Sequence, residues 1–226
     1  MQDVAAALQA VQARIRSAEE RFGRAPGSVA LLAVTKTRPP EDLRAAFAAG
    51  QRAFGENYVS EALGKMGALE DLAIEWHFIG PVQSNKTRPI AERFAWVHSV
   101  DREKVARRLA EQRPAGLPPL QVCLEVNVSG EESKSGVAPG ELPALARTVV
   151  GLPRLRLRGL MAVPAPGEDF ELQRQAFRSL RELFEGLRAE GLPLDTLSMG
   201  MSGDLEAAVA EGSTLVRVGT AIFGPR

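Results

Sequence analysis

Strand-like and helix-like segments take turns along this chain eight times, and that rhythm restricts the architectures open to it more than any other feature. Apolar runs with strand character lie at residues 29–35, 52–55, 75–80, 95–100, 120–128, 155–163, 196–198 and 214–218. Each is followed by a stretch of helical character: 40–49, 57–69, 84–93, 101–112, 139–150, 170–190, 203–211 and a last short turn around 221–223. Alternation of this kind favours a parallel sheet, because parallel neighbours need a crossover and a helix supplies it. Eight units within 226 residues suit a closed barrel better than an open sheet. The expected fold class is α/β, a single (β/α)8 TIM barrel in which residues 1–226 form one domain. The second and seventh strands are the least marked of the eight.

Residues 1–22 precede the first strand and carry Val4, Leu8, Val11 and Ile15 at helical spacing with charges between them. They read as an extra amphipathic helix, since a secretory leader needs a basic start and an unbroken apolar centre. No run is long enough to span a bilayer, so the expected location is the cytoplasm. Lys+Arg and Asp+Glu both number 28, and a chain with no net charge has no long-range attraction to nucleic acid or to anionic membranes. Cys123, the single cysteine, excludes an internal disulfide, fits a reducing compartment, and within its apolar run reads as a buried structural thiol before a nucleophile. His77 and His98 are the two histidines; they lack metal-ligand spacing, so no metal site is expected. His77, after Trp76, reads as a core or rim histidine.

Barrels of this kind keep their chemistry at the carboxyl ends of the strands. Lys36 stands there, directly after the apolar run 29–35 and ahead of Pro39, Pro40, Glu41 and Asp42, which start a helix. An amine held against an apolar wall loses hydration of its charged form, and the neutral amine forms Schiff bases. A strand-end lysine also snorkels to water, and position alone leaves both readings open. The other lysines are set differently: Lys65 and Lys104 are expected on polar helix faces, and Lys134 in the hydrophilic loop 129–136, which reads as a lid or a partner surface. Lys86 falls in 83–87, which reads as a helix start. Asp101 reads as the N-cap of the following helix.

The last two strand ends offer a second clue. Ser198-Met199-Gly200-Met201-Ser202-Gly203 and Gly219-Thr220 hold glycines that let the backbone approach an anion, and the hydroxyls of Ser202 and Thr220 add donors. An ordinary tight turn has the same composition. A lysine on the first strand and a phosphate cradle on the last two are neighbours in a closed barrel, and together they describe the two ends of pyridoxal 5'-phosphate. Arg217, two residues before Gly219, shares its facing and points toward the pyridine nitrogen; an ion pair at the barrel rim is the alternative. An arginine there keeps its proton and leaves the pyridine a weak electron sink.

The segments LLAVTKTRPPE around Lys36, FGENYVSEA from Phe54, EWHFIGPVQSNKT from Glu75, HSVDR from His98, EVNVSGEESKSGV from Glu125, LRGLMAVP from Leu157 and LSMGMSGDLEAAVAEGSTLVRVGTAIFG from Leu197 together resemble the pyridoxal phosphate homeostasis proteins. The resemblance implies a barrel similar to the N-terminal domain of alanine racemase, pyridoxal 5'-phosphate as cofactor, and a cytosolic role in buffering that cofactor with effects on amino-acid and keto-acid pools. It implies Lys36 as the Schiff-base lysine, Arg217 against the pyridine nitrogen, Ser202, Gly219 and Thr220 on the phosphate, and Asn57 beside the ring. Small amino acids and apo-enzymes that use the cofactor are the implied partners, and a monomer is the expected state. An amino-acid racemase of the barrel type is the competing reading. The racemases resembled here use a tyrosine from a second domain across a dimer, whereas Tyr58 is the one tyrosine of this sequence.

Overall fold

The computed structural model describes residues 3–130, 135–165 and 167–225. Strands β1 (Ala30–Val34), β2 (Ala53–Glu56), β3 (Glu75–Phe78), β4 (Trp96–Val100), β5 (Leu120–Glu125), β6 (Leu155–Met161), β7 (Thr196–Ser198) and β8 (Leu215–Val218) pair in chain order, all parallel. Strand β8 closes on β1, with Leu32 opposite Arg217. The helices are α1 (Val4–Arg21), α2 (Pro40–Ala48), α3 (Val59–Ala68), α4 (Thr87–Arg93), α5 (Glu103–Gln112), α6 (Leu142–Val150), α7 (Phe170–Ala189), α8 (Leu205–Ala210) and α9 (Thr220–Phe223). The eightfold rhythm is thus a closed (β/α)8 barrel, and α1 is the extra helix ahead of it.

Local chemistry explains the main boundaries. Helix α2 begins at Pro40, whose missing N–H costs nothing in a first turn, and Glu41 and Asp42 face the positive end of the helix dipole. Helix α1 starts where Asp3 accepts a hydrogen bond from Ala6 N at 3.0 Å, and α7 where Asp169 accepts from Leu172 N at 2.9 Å. The buried stripe of α1 is Leu8, Val11, Ile15 and Ala18, packed on α2, α8 and α9. Each of its larger side chains contributes about 1.5–3 kcal/mol by leaving water.

Four expectations change. Strand β5 stops at Glu125 rather than 128, because the chain turns out to let Val126 bridge Val137, with Val137 N donating to Glu125 O at 2.8 Å. Asp101 does not cap α5; Arg102 holds that position, and the Asp101 carboxylate takes the Arg102 Nη1 hydrogen bond at 2.6 Å instead. The helix expected over 84–93 opens with a 3-10 turn, Ser84–Lys86, before α4. Pro89 has no N–H to give the carbonyl four residues back, so the first turn tightens. Lys65 is buried rather than solvated, for reasons given below. Lys104 is exposed as expected. Residues 131–134 of the loop 129–136, Lys134 among them, lie outside the described residues.

The apolar core lies mainly between the barrel and its helices, in two large clusters. A smaller cluster, Trp96, Cys123 and Met161, packs inside the barrel. Polar residues share that interior: His77, His98, Ser198 and Arg217, none more than 4% exposed.

Candidate functional site

At the carboxyl end of the barrel a cavity of about 380 Å³ opens among the segments that follow β1, β2, β3, β6, β7 and β8. Lys36, Asn57, Ser202, Arg217, Gly219 and Thr220, the six residues singled out from sequence, all line it, together with Val34, Arg38, Ile79, Val163, Met201 and Gly203. Parallel registry brings them together. Arg217 faces inward beside Leu32, and Lys36 and Asn57 continue the inward rows of β1 and β2 past their last paired residues.

The backbone around Lys36 is held from both sides. Thr35 N donates to Gly55 O at 2.9 Å, and Thr35 O accepts from Lys65 Nζ at 2.6 Å. On the other side, Thr37 N donates to Glu61 Oε1 at 2.6 Å. Thr37 has φ of 64°, a left-handed conformation that costs a residue with a Cβ about 1–2 kcal/mol. The Glu61 carboxylate offsets that cost with a charge-assisted bond. Lys65 and Glu61 both come from α3, one turn apart. Lys65 also donates to Glu56 Oε1 at 2.7 Å, and Glu56 is fully buried at the end of β2. Burial raises the Glu56 pKa, opposed by the hydrogen bonds from Lys65 and Thr35. Periodicity alone placed Lys65 on the outer face of its helix; the buried carboxylate on the neighbouring strand is what draws it inward.

Asn57 is positioned by a close approach. A Cβ on Gly80 would stand 2.1 Å from its carbonyl oxygen, so the loop that follows β3 must carry glycine there. Its Oδ1 is buried and has no hydrogen-bond partner among the described residues. A Cβ on Gly219 would meet Val34 O at 3.0 Å, so glycine keeps the turn after β8 tight against β1. The loop after β7 is fastened to the extra helix: Arg14 Nη1 donates to Ser202 O at 2.7 Å, and Arg14 Nε and Nη2 grip Glu206 at 2.5 Å each. Arg38 donates to the carbonyls of Gly224 and Pro225, tying the loop after Lys36 to the end of α9.

Arg217 is rigid. Nη1 donates to Ser198 O at 2.5 Å and to Ser198 Oγ at 2.8 Å, and Nη2 donates to Ala162 O at 3.0 Å. Burial pulls its pKa down to about 10, against the pull of Asp204, Glu125 and Cys123, so it remains a cation near neutrality. Glu125, at the end of β5, is pushed up to about 7 by burial, with Asp101 adding to the rise and Arg217 opposing it. Burial pushes the Cys123 thiol up to about 12, which fits the structural thiol expected and not a nucleophile. Met161 and Met199 are buried packing residues, and Met201 lines the cavity. Among the described residues no group of histidine, cysteine and carboxylate side chains is arranged to hold a metal ion.

A lysine, an arginine and a hydroxyl-glycine cradle thus converge at the carboxyl mouth of an eight-stranded parallel barrel with an extra leading helix. A family model described as "Alanine racemase, N-terminal domain" matches residues 6–226. Alanine racemase from Corynebacterium glutamicum superposes with a TM-score of 0.72 at 18% identity, over 97% of this chain and 62% of that one, a likeness of fold. PipY of Synechococcus elongatus, in a structure with PLP bound, is 38% identical with a TM-score of 0.81, over 93% of this chain and 100% of that one. The pyridoxal phosphate homeostasis protein of Pseudomonas aeruginosa is 63% identical over 226 residues, 100% of this chain and 97% of that protein. The chain therefore belongs to the pyridoxal phosphate homeostasis proteins, within the alanine racemase N-terminal domain family.

Proposed function

We propose that this chain binds pyridoxal 5'-phosphate in the cavity at the barrel mouth and serves in cofactor homeostasis, holding and releasing the cofactor rather than turning over a substrate. The observation that carries the reading is the convergence of Lys36, Arg217 and the Ser202–Gly219–Thr220 cradle on one cavity. When bound, the cofactor supplies an amine-reactive aldehyde and an electron-withdrawing ring. Lys36 is the covalent attachment point, with its backbone fixed by Lys65 and Glu61. Ser202, Gly219 and Thr220 hold the phosphate. Arg217 presents a fixed N–H donor to the pyridine nitrogen and does not release its proton there. Asn57 lies beside the ring, and its buried Oδ1 suits a polar group of the ligand. The names and the bound cofactor of the relatives above support the same assignment.

A carrier fits the site better than a racemase. Racemisation needs acid/base groups on both faces of the substrate. The described residues that line the cavity include no tyrosine and no carboxylate: Tyr58 is 56% exposed and borders a different cavity, with Ser60, Gln83 and Lys86. No described helix is long and apolar enough to cross a membrane; the proposed place of action is the cytoplasm. The protein acts as a monomer that exchanges cofactor with apo-enzymes and senses small amino acids through the same amine chemistry. The test is borohydride reduction of the protein mixed with pyridoxal 5'-phosphate, followed by peptide mass spectrometry. The expected adduct is on Lys36, is lost in Lys36→Ala, and accompanies negligible alanine racemisation. An adduct on another lysine would overturn the site. Turnover at ordinary enzyme rates, roughly 1 s⁻¹ or more, would overturn the carrier reading.

A further inference from the structure

The barrel interior contains a line of polar side chains that runs from its floor to the mouth. Glu75 starts β3 at the amino end, with its side chain 52% exposed. Its Oε1 lies 2.8 Å from His77 Nε2; His77 Nδ1 lies 2.9 Å from His98 Nε2; His98 Nδ1 lies 2.8 Å from Ser198 Oγ. Ser198 Oγ is the atom that Arg217 Nη1 reaches at 2.8 Å. Four strands, β3, β4, β7 and β8, contribute to this one path, and everything above Glu75 is buried.

Proton counting gives the path a direction. Ser198 Oγ accepts from Arg217, so its own hydrogen is available to His98 Nδ1. His98 then carries its proton on Nε2 and donates to His77 Nδ1. His77 carries its proton on Nε2 and donates to the Glu75 carboxylate. Every donor meets an acceptor, and both rings stay neutral. The reverse polarity turns a lone pair of His77 Nε2 toward a carboxylate unless that ring becomes a cation, and it leaves the Ser198 hydrogen without this acceptor. Burial disfavours the cation: it lowers His77, against the pull of Glu75, and lowers His98 well below the ordinary histidine range, with His77 and Arg217 adding to the fall. Stacking of His77 on Trp96, with centroids 5.3 Å apart and planes 7° from parallel, fixes the ring.

We propose that Glu75, His77, His98 and Ser198 form a one-way hydrogen-bond chain that positions the Arg217 guanidinium, so that a carboxylate at the floor of the barrel tunes the ligand site at its mouth. These are positioning residues, and they act through Arg217. The other ionisable groups that bear on the chain are Arg158, near Glu75, and Asp204, Glu125 and Cys123, near Arg217. The influence on bound ligand rests on the cofactor reading given above; the chain itself does not.

The first test therefore uses no cofactor. With two histidines in the sequence, a ¹H–¹⁵N long-range spectrum of the full chain reports both rings. Both are expected as neutral Nε2–H tautomers at pH 7. Glu75→Ala should shift the ¹⁵N resonances of His98, which Glu75 does not touch, while Glu92→Ala, an exposed α4 carboxylate at the same end of the barrel, should leave them unchanged. An Nδ1–H tautomer in either ring, or a His98 signal indifferent to Glu75→Ala, overturns the chain. The second test adds pyridoxal 5'-phosphate and follows its visible spectrum against pH. Glu75→Ala and Ser198→Ala should each move the titration midpoint by about half a pH unit or more relative to wild type and Glu92→Ala. Wild-type spectra in all variants would overturn the tuning, whereas failure of wild type itself to bind would overturn the cofactor reading and leave the tautomer result standing on its own.

Discussion

Replacing Lys65 with methionine isolates the cost of the buried charge cluster that braces the Lys36 loop. Methionine keeps most of the volume and removes the ammonium. The change takes away the hydrogen bonds to Thr35 O, Glu56 Oε1 and Glu61 Oε1. Glu61 is 27% exposed and regains water, but Glu56 is fully buried, and its Oε2 already has no hydrogen-bond partner among the described residues. At 2.7 Å and an effective dielectric of about 20, the lost attraction between Lys65 and Glu56 is about 6 kcal/mol. Protonation limits the damage. Neutralising a carboxyl of unfolded pKa about 4.3 at pH 7 costs at most about 4 kcal/mol, less than keeping the bare charge. Burial already raises Glu56 in the native protein, so part of that cost is present before the mutation. The expected loss is about 2–4 kcal/mol at pH 7. In the variant the folded pKa of Glu56 lies further above its unfolded value, so the penalty grows as pH rises and fades below about pH 4.5. Urea unfolding followed by circular dichroism measures it, as a midpoint lower by roughly 1–2 M. The double variant Glu56→Gln/Lys65→Met should recover about half of the loss or more. A loss under about 1 kcal/mol, or one that is flat between pH 5 and pH 8, would refute the reasoning.

Two further outcomes are expected. Glu125 titrates near 7 when folded, above its unfolded value, so the stability it contributes is complete below about pH 4.3 and is lost as pH rises through about 7. Glu125→Gln should therefore flatten the pH profile of urea unfolding and stabilise the protein at pH 8 by on the order of 2 kcal/mol, after allowing for partial solvent screening; an unchanged profile would count against the shift. Gly80→Ala places a Cβ 2.1 Å from the Asn57 carbonyl, and the two strand ends must part. A destabilisation of about 1–3 kcal/mol by thermal melting should accompany weaker cofactor capture in spectrophotometric titration, and wild-type values in both would show that the contact is not constraining.

The strand-helix rhythm determined the barrel from sequence alone, because period and alternation are local properties and a chain of eight such units has few closed arrangements. The same logic made Lys36, Arg217 and Gly219 legible as mouth residues: each follows or ends a buried run, and strand ends of a closed barrel must converge. What sequence did not reveal were partners distant along the chain. His98 and Ser198 stand 100 residues apart, and His77 and His98 stand 21 apart on adjacent strands, so no spacing rule marks them as one path. The fate of Lys65 was hidden for a related reason. Helix periodicity shows which side chains share a face, but not that a buried carboxylate on β2 waits opposite one of them. Packing across strands decided the charges inside this protein, because the cost of burying a charge depends on the neighbours that folding brings to it.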